Sequence, residues 1–408
     1  MQPSNPDPSD PLRSHNRQRI LAALSQGRAS SRGQLSELTG MARSTVTSLV
    51  AELLEQGLVL DSSASPAAAT DGGSGASHRP GAGRPARRLS VAPRSDLVVA
   101  VDFGHSHCQV GVVDAQARIV SEHWAAMDVD SSAEQALVHA GAAALQLLDE
   151  LGSHRERVVA AAIGLPAPVN PLTGTVGPGN VLPGWVNRHP ADELAQRLGI
   201  TVLIDNDANL GALAELRHGA ARGCADAIYV KVSTGIGAGL VLGGRLHRGF
   251  TGRAGEIGHV PVDTSGSLCR CGNRGCLETV ASVTQVLALM QPAHTQQLDM
   301  PRLAELVAAG DTGAHRVLGD TGRTMGRVLA DMVNNLNPEV LVLGGELSVA
   351  GGPFSDGVRE SLARFAQTGV VRDLRVCLGE LGESAQLLGA AELAFDATRP
   401  VWANSALD

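Results

Sequence analysis

Apolar residues first recur at helical spacing beyond Asn16: Ile20, Leu21 and Leu24, then Leu35 and Leu38, then Val46, Leu49, Val50, Leu53 and Leu54. Intervals of three and four positions put such residues on one face, so the run predicts three short helices. Ser31 is placed to cap the second, Gly40 supplies a positive-φ turn after it, and the third covers 42–57, ending at Gly57. A helix, a tight turn and a longer helix with a polar leading edge predict a helix-turn-helix. Leu58–Leu60 and the returning "RPARRLSV" read as the two strands of a wing. Between them 61–83 is rich in Ser, Ala, Gly and Pro and reads as a flexible wing tip. Residues 1–14 read as a disordered tail, leaving 15–92 as a winged module.

From Asp96 the pattern changes to α/β. "LVVAVDFGHSHCQVGVVDAQARIV" reads as strand, Gly-containing turn, strand, turn, strand, and 133–151 as a helix. A similar unit recurs as "AIYVKVSTGIGAGLVLGGRLHRG". The repetition predicts two lobes, 96–210 and 211–396, with a cleft between them where small ligands usually sit. Strands "VVAAAIGLP" and "TVLIDND" complete the first lobe and "PEVLVLGGE" supplies one of the second. A closing helix, "LLGAAELAF", belongs to the second lobe or returns to the first, and 397–408 is a tail.

Composition sharpens this picture. With 408 residues, 43% of them hydrophobic but only 2% aromatic, the cores rest on Leu, Val, Ile and Ala. No apolar run is long enough to cross a membrane, which points to the cytoplasm. The net charge of -8 is uneven: residues 1–95 hold 11 Arg against 7 Asp and Glu, or +4, leaving 22 against 34, or -12, for the rest. A basic front end on an acidic body suggests that only the front meets a polyanion.

Chemistry concentrates in "GEIGHVPVDTSGSLCRCGNRGCLE". His259, Cys269, Cys271 and Cys276 stand at spacing H-x9-C-x-C-x4-C, and soft sulfur with imidazole suits tetrahedral zinc. Four protein ligands leave no open coordination position, so the ion is structural, bracing the loop that carries Glu256 and Glu278.

"GEIGH" with "CRCGNRGCLE", "IDNDAN" and "LLGAAELA" resembles the ROK family (repressors, open reading frames and sugar kinases). The resemblance runs from about residue 16 to 396. It implies a two-lobed actin-like, ribonuclease H-like ATPase-fold body. It also implies a sugar pocket of Asn180, Asn206, Asp207, Glu256, His259 and Glu278, with Asp207 as general base if the chain is a kinase. Amides and carboxylates at fixed angles suit the hydroxyls of a sugar. Where family kinases have Pro-Gly, this chain has Pro166-Ala167.

Phosphoryl transfer needs glycine turns that let the backbone approach a triphosphate. Here the first turn is Asp102-Phe103-Gly104-His105-Ser106, and the second retains Gly235 and Gly237 but has Ala238. The third is Gly344-Gly345-Glu346. Each change adds bulk or negative charge at an expected nucleotide-facing position, so the turns read as a degraded nucleotide site without ATP or Mg²⁺. A winged helix-turn-helix before a ROK body implies a sugar-responsive repressor; the alternative is a sugar kinase or a bifunctional protein. Arg43, Ser44, Thr45, Thr47 and Ser48 lead the recognition helix toward the major groove of double-stranded DNA, and Arg84, Arg87 and Arg88 of the wing suit a minor groove. The expected partners are an inverted-repeat operator, a small sugar effector and further copies of the chain, as a dimer or tetramer.

Overall fold

A computed structural model describes residues 11–25, 28–55, 58–62, 88–91, 96–177 and 181–398. They fall into two compact units, parted between residues 94 and 95.

The front unit contains α1 (Pro11–Ser25), α2 (Arg32–Thr39), α3 (Arg43–Glu55), β1 (Val59–Ser62) and β2 (Arg88–Val91). Ile20, Leu21, Leu24, Leu35, Val46, Leu49, Val50 and Leu53 close one core together with Val59 and Leu89. Ser31 Oγ accepts from the Gln34 amide, and Gly40 has φ 68°, the left-handed conformation that ends α2. Leu38, read as a core position, is exposed. The first helix begins at Pro11, inside the stretch read as a tail. Proline suits an opening helical turn, and Arg13 and Arg17 reach Glu52 of α3 at 3.0 and 2.7 Å. Strands β1 and β2 pair antiparallel, Val59 opposite Val91 and Ser62 opposite Arg88. Asp61 and Ser62 are therefore strand rather than loose tip; the rest of the expected tip, and Arg84 and Arg87 of the expected returning strand, lie outside the described residues.

The body runs β3 (Leu97–Phe103), β4 (His107–Asp114), β5 (Ile119–Ala126), α4 (Ala133–Glu150), β6 (Val158–Leu165), α5 (Pro190–Leu198), β7 (Val202–Asn206) and α6 (Asp207–His218). It continues through β8 (Ala227–Val232), β9 (Ile236–Leu242), β10 (Arg245–Leu246), α7 (Glu278–Ala281), α8 (Val283–Met290), α9 (Met300–Ala308) and α10 (Thr312–Leu336). The last elements are β11 (Val340–Gly344), α11 (Gly352–Phe365), α12 (Thr368–Asp373), β12 (Arg375–Leu378) and α13 (Ala385–Thr398).

Two five-stranded sheets result, ordered β5-β4-β3-β6-β7 and β10-β9-β8-β11-β12. Each is an antiparallel meander extended by two parallel strands, so the second repeats the first. Parallel strands need cover on both faces. Accordingly Val99 and Val101 of β3 face Ala136, Leu137 and Ala140 of α4, while Val98 and Ala100 face Leu210 of α6 and Leu387 and Ala391 of α13. In the second sheet Ile228 and Val230 meet Leu329 of α10, and Tyr229 meets Ala212 and Leu216 of α6. Helix α6 thus packs on both sheets, and α13 returns to the first.

Candidate functional site

Loops at the ends of β3, β6, β7, β8 and β11 converge on one cleft of about 480 Å³. Asn206 and Asp207 enter it where β7 becomes α6. The Asn206 side chain is already engaged: Oδ1 accepts from the amides of Ala208 and Asn209, capping α6, and Nδ2 donates to the Ala167 carbonyl at 3.3 Å. Its first duty is therefore to join the 166–168 loop to the helix start, which is the ordinary Asx use of the residue. Asp207 is buried beneath it, with Oδ2 2.5 Å from Lys231 Nζ.

Lys231, the only lysine in the chain, is a site residue that sequence reading missed. A lone cation inside an otherwise apolar strand was the available signal. Burial works to lower its pKa, but the Asp207 and Asp102 carboxylates prevail and push it up, so the ammonium stays charged. Behind the cleft Asp205 is 3% exposed and takes Arg248 through Nε and a terminal nitrogen at 2.7 Å each, and Asn209 Nδ2 at 2.9 Å.

Glu256, His259 and Glu278 line the same cleft. Burial, followed by the Asp207 carboxylate, pushes the Glu256 carboxyl up to about 7, against the pull of Arg253, and Glu278 adds to the rise. Glu278 opens α7 and lies 3.5 Å from Arg270 Nε. Arg270 also approaches Asp130 at 3.9 Å, and Asp130 takes His105 Nδ1 at 2.6 Å. This relay from the cysteine loop to the β3–β4 turn was not expected, because Asp130 sits in no motif and Arg270, between two of the cysteines, is not a ligand type. Asn180 lies outside the described residues.

On the nucleotide side, Asp102, Gly104, His105, Ser106, Gly235, Gly237, Gly345 and Glu346 all line the cleft. The His107 ring lies against Gly104, where an added Cβ would collide with it. Ala238 corrects the sequence reading: it is buried in the second-lobe core, its amide held by the Gly255 carbonyl at 2.8 Å, and does not face the cleft. Gly345 has φ 79° and abuts the Val232 backbone, so strand packing requires glycine there whatever the ligand.

His259, Cys269, Cys271 and Cys276 come together with their ligand atoms within 4.8 Å of one another, a cluster able to hold a metal ion. The bridges Pro261–Cys276 and Leu268–Arg274 fold the loop back on itself, and a turn closes with the Gly272 amide on the Cys269 carbonyl at 2.9 Å. His259 Nδ1 faces Cys269 Sγ, while Nε2 stands 3.6 Å from Glu256, so one ring joins cluster and cleft. Burial first, then the adjacent thiols, push the Cys276 thiol up to about 12; a bound cation would offset that cost by neutralising thiolates.

In the front unit Arg43, Ser44, Thr45, Thr47 and Ser48 are all exposed on the first turns of α3, while Val46, Leu49 and Val50 face its core. Thr47 Oγ1 donates to the Arg43 carbonyl at 2.8 Å, leaving its oxygen free only to accept. Arg88 is exposed on β2.

Residues 98–397 match the ROK family model, and 19–61 match the IclR helix-turn-helix domain. The xylose repressor of Caldicellulosiruptor bescii is 26% identical over 391 residues, 93% of this chain and 94% of that protein. A crystal structure of a ROK family transcriptional regulator, described as a homologue of the Escherichia coli MLC protein, shares the fold over 98% of this chain and 97% of its own, with TM-score 0.76 and 24% identity. A ROK family glucokinase from Streptomyces griseus, solved with glucose and AMPPNP, is 30% identical with TM-score 0.65 and covers 74% of this chain and 99% of its own. The residues that match the family model, 98–397, hold both five-stranded sheets and the His-Cys₃ loop, and the chain belongs to the ROK family.

Proposed function

We propose that the protein is a sugar-responsive transcriptional repressor whose ROK body binds a carbohydrate effector and whose front unit holds an inverted-repeat operator in double-stranded DNA. The observation that carries this reading is Lys231 on Asp207 at 2.5 Å. In a kinase the Asp207 carboxylate takes the proton of the attacking hydroxyl. Here its Oδ2 is committed to an ammonium ion. Among the described cleft residues Lys231 is also the one Lys or Arg, so no free side-chain cation remains for a triphosphate. The xylose repressor relative, matched over nearly its whole length, supports the same reading.

The cysteine loop is assigned a structural Zn²⁺. Zinc–sulfur and zinc–nitrogen bonds of about 2.3 and 2.0–2.1 Å at tetrahedral angles place two sulfurs about 3.8 Å apart and a sulfur and nitrogen about 3.6 Å apart. Cys271 to Cys276 is 3.7 Å and Cys269 to His259 Nδ1 is 3.5 Å. When bound, the ion fixes the thiolates and the His259 ring. His259 Nε2 then steadies Glu256. Arg270, on the same loop, steadies Glu278, and together these carboxylates and Asp207 face the sugar hydroxyls.

Effector binding favours one arrangement of the body and changes operator affinity by the coupling free energy, typically about 1–3 kcal/mol. Arg43 reads a guanine edge, with Ser44, Thr45, Thr47 and Ser48 on bases and nearby phosphates. The wing arginines Arg84, Arg87 and Arg88 enter the minor groove of a site matched by a homodimer or a tetramer. The protein acts in the cytoplasm. A second reading, an ATP-dependent sugar kinase, is favoured by the buried Asp207 at the cleft and by the glucokinase likeness.

Promoter-fragment binding measured by fluorescence anisotropy against a sugar panel tests the proposal, with at least one sugar expected to shift the midpoint. A coupled assay with ATP and Mg²⁺ on the same panel should stay below about 1 s⁻¹. Turnover above that rate with DNA binding indifferent to sugar would establish the kinase instead.

A further inference from the structure

Beyond Asp207 the cleft continues past the β3–β4 turn to the face of β4 and β5, a region the sugar pocket does not use. Its wall holds the rings of His107 and Trp124, stacked with centroids 6.1 Å apart and planes 16° apart. Trp124 is 59% exposed, so the pair presents a flat aromatic surface to solvent and cleft. The same cleft is lined by the carboxylates of Asp102, Glu122, Glu346 and Glu383, of which Glu122 accepts from Gln109 Nε2 at 2.9 Å. Asp102 is 4% exposed; Oδ2 lies 3.5 Å from His107 Nε2, and Oδ1 has no hydrogen-bond partner.

Three ligand classes can be weighed against this lining. A nucleotide would set its phosphates against four carboxylates, with Lys231 already engaged and the His107 ring lying over Gly104. An apolar ligand would cover the aromatic pair but offer no donor to the lining carboxylates, of which Asp102 Oδ1 is buried without a hydrogen-bond partner. A polyol satisfies both: pyranose C–H faces lie on aromatic rings, and hydroxyls donate to carboxylates.

We propose that this end of the cleft is a second saccharide subsite and that the effector is a neutral disaccharide or longer oligosaccharide, with one ring against Asp207, Glu256 and Glu278 and the next on Trp124. The inference rests on the sugar reading above. The cleft's 480 Å³ is within the roughly 300–1,000 Å³ usual for small-molecule sites and is continuous from one set of residues to the other.

Isothermal titration of the full chain with neutral monosaccharides, their disaccharides and AMPPNP with Mg²⁺ tests it. At least one disaccharide should bind about tenfold or more tighter than its component monosaccharide. Trp124→Ala should remove that margin while leaving the monosaccharide within about twofold, and Trp124→Phe should keep part of it, since the residue is exposed and its loss leaves the core intact. Monosaccharide binding without any gain from a second ring overturns this inference and leaves the sugar reading standing. So does an equal loss on both ligands in Trp124→Ala, or AMPPNP binding that competes with the disaccharide. If no saccharide of either length binds, the sugar reading falls and the subsite with it.

Discussion

Replacing Lys231 by Met keeps the length of the side chain and removes its charge, which isolates the Asp207 pair. The Asp207 side chain is 9% exposed and would be left as a buried carboxylate facing Asp102 and Glu256. Removing one partner of such a pair costs about 3–5 kcal/mol, whereas neutralising both is often close to neutral. Lys231→Met should therefore lose about 3–5 kcal/mol, and Lys231→Met with Asp207→Asn only about 1 kcal/mol, a coupling of several kcal/mol in the double-mutant cycle. A large domain loses roughly 2 °C per kcal/mol, so calorimetry should record a fall of about 6–10 °C for the single variant and about 2 °C for the double. The pH dependence follows from the sign of the shift. The folded pKa is raised, so the stabilisation is fully present below the unfolded value of about 10.4 and is lost only as pH rises through the higher folded value. The contribution of the Lys231 charge should consequently persist undiminished to about pH 9, while Glu256, which faces Asp207 and has its carboxyl raised to about 7, adds a pH dependence below that. A single variant within about 1 kcal/mol of the parent, or a double variant no better than the single, would refute the assignment of Lys231 as the counter-ion that occupies Asp207.

Other outcomes are equally specific. Chelation, or Cys276→Ser, should release one equivalent of metal, lower the melting temperature and weaken the sugar response together; an unchanged response in metal-free protein would separate the cysteine loop from sensing. Arg43→Ala should weaken operator binding by about 1–3 kcal/mol and non-specific DNA far less, and equal losses on both would remove it as a base reader. Trp185 is wholly buried, donates from Nε1 to the Val129 carbonyl at 2.7 Å and meets Phe103 edge-on at 5.2 Å. Trp185→Ala should cost about 3–5 kcal/mol in urea unfolding.

Much of this fold could be read from local pattern. Strands β3, β4 and β8 announced themselves through predominantly apolar runs around glycine turns, and Ser31 and Gly40 marked the limits of α2. The long helix α10 escaped notice because its apolar stripe is diluted by Gly319, Gly322 and Gly326, two of which exist to let α11 approach closely. The cysteine cluster was legible because its four ligands come from one short segment. Lys231, Arg248 and Asp130 were not, since each gains its meaning from a partner at least 24 positions away, and Arg270 matters because it links Glu278 of its own loop to the distant Asp130. Ala238 was misjudged for a related reason: a strand's alternation decides which neighbours look into a cleft, and motif spacing alone cannot supply that parity.

The solitary lysine has one more consequence. Apart from its chain start, this protein offers amine-directed reagents a single target, and that amine sits at the floor of the ligand cleft with 13% of its side chain exposed. Acylation kinetics thus need no site mapping among competing amines, and since only the neutral amine reacts, their rate reports how tightly the carboxylates hold its proton and how well a bound guest shields it.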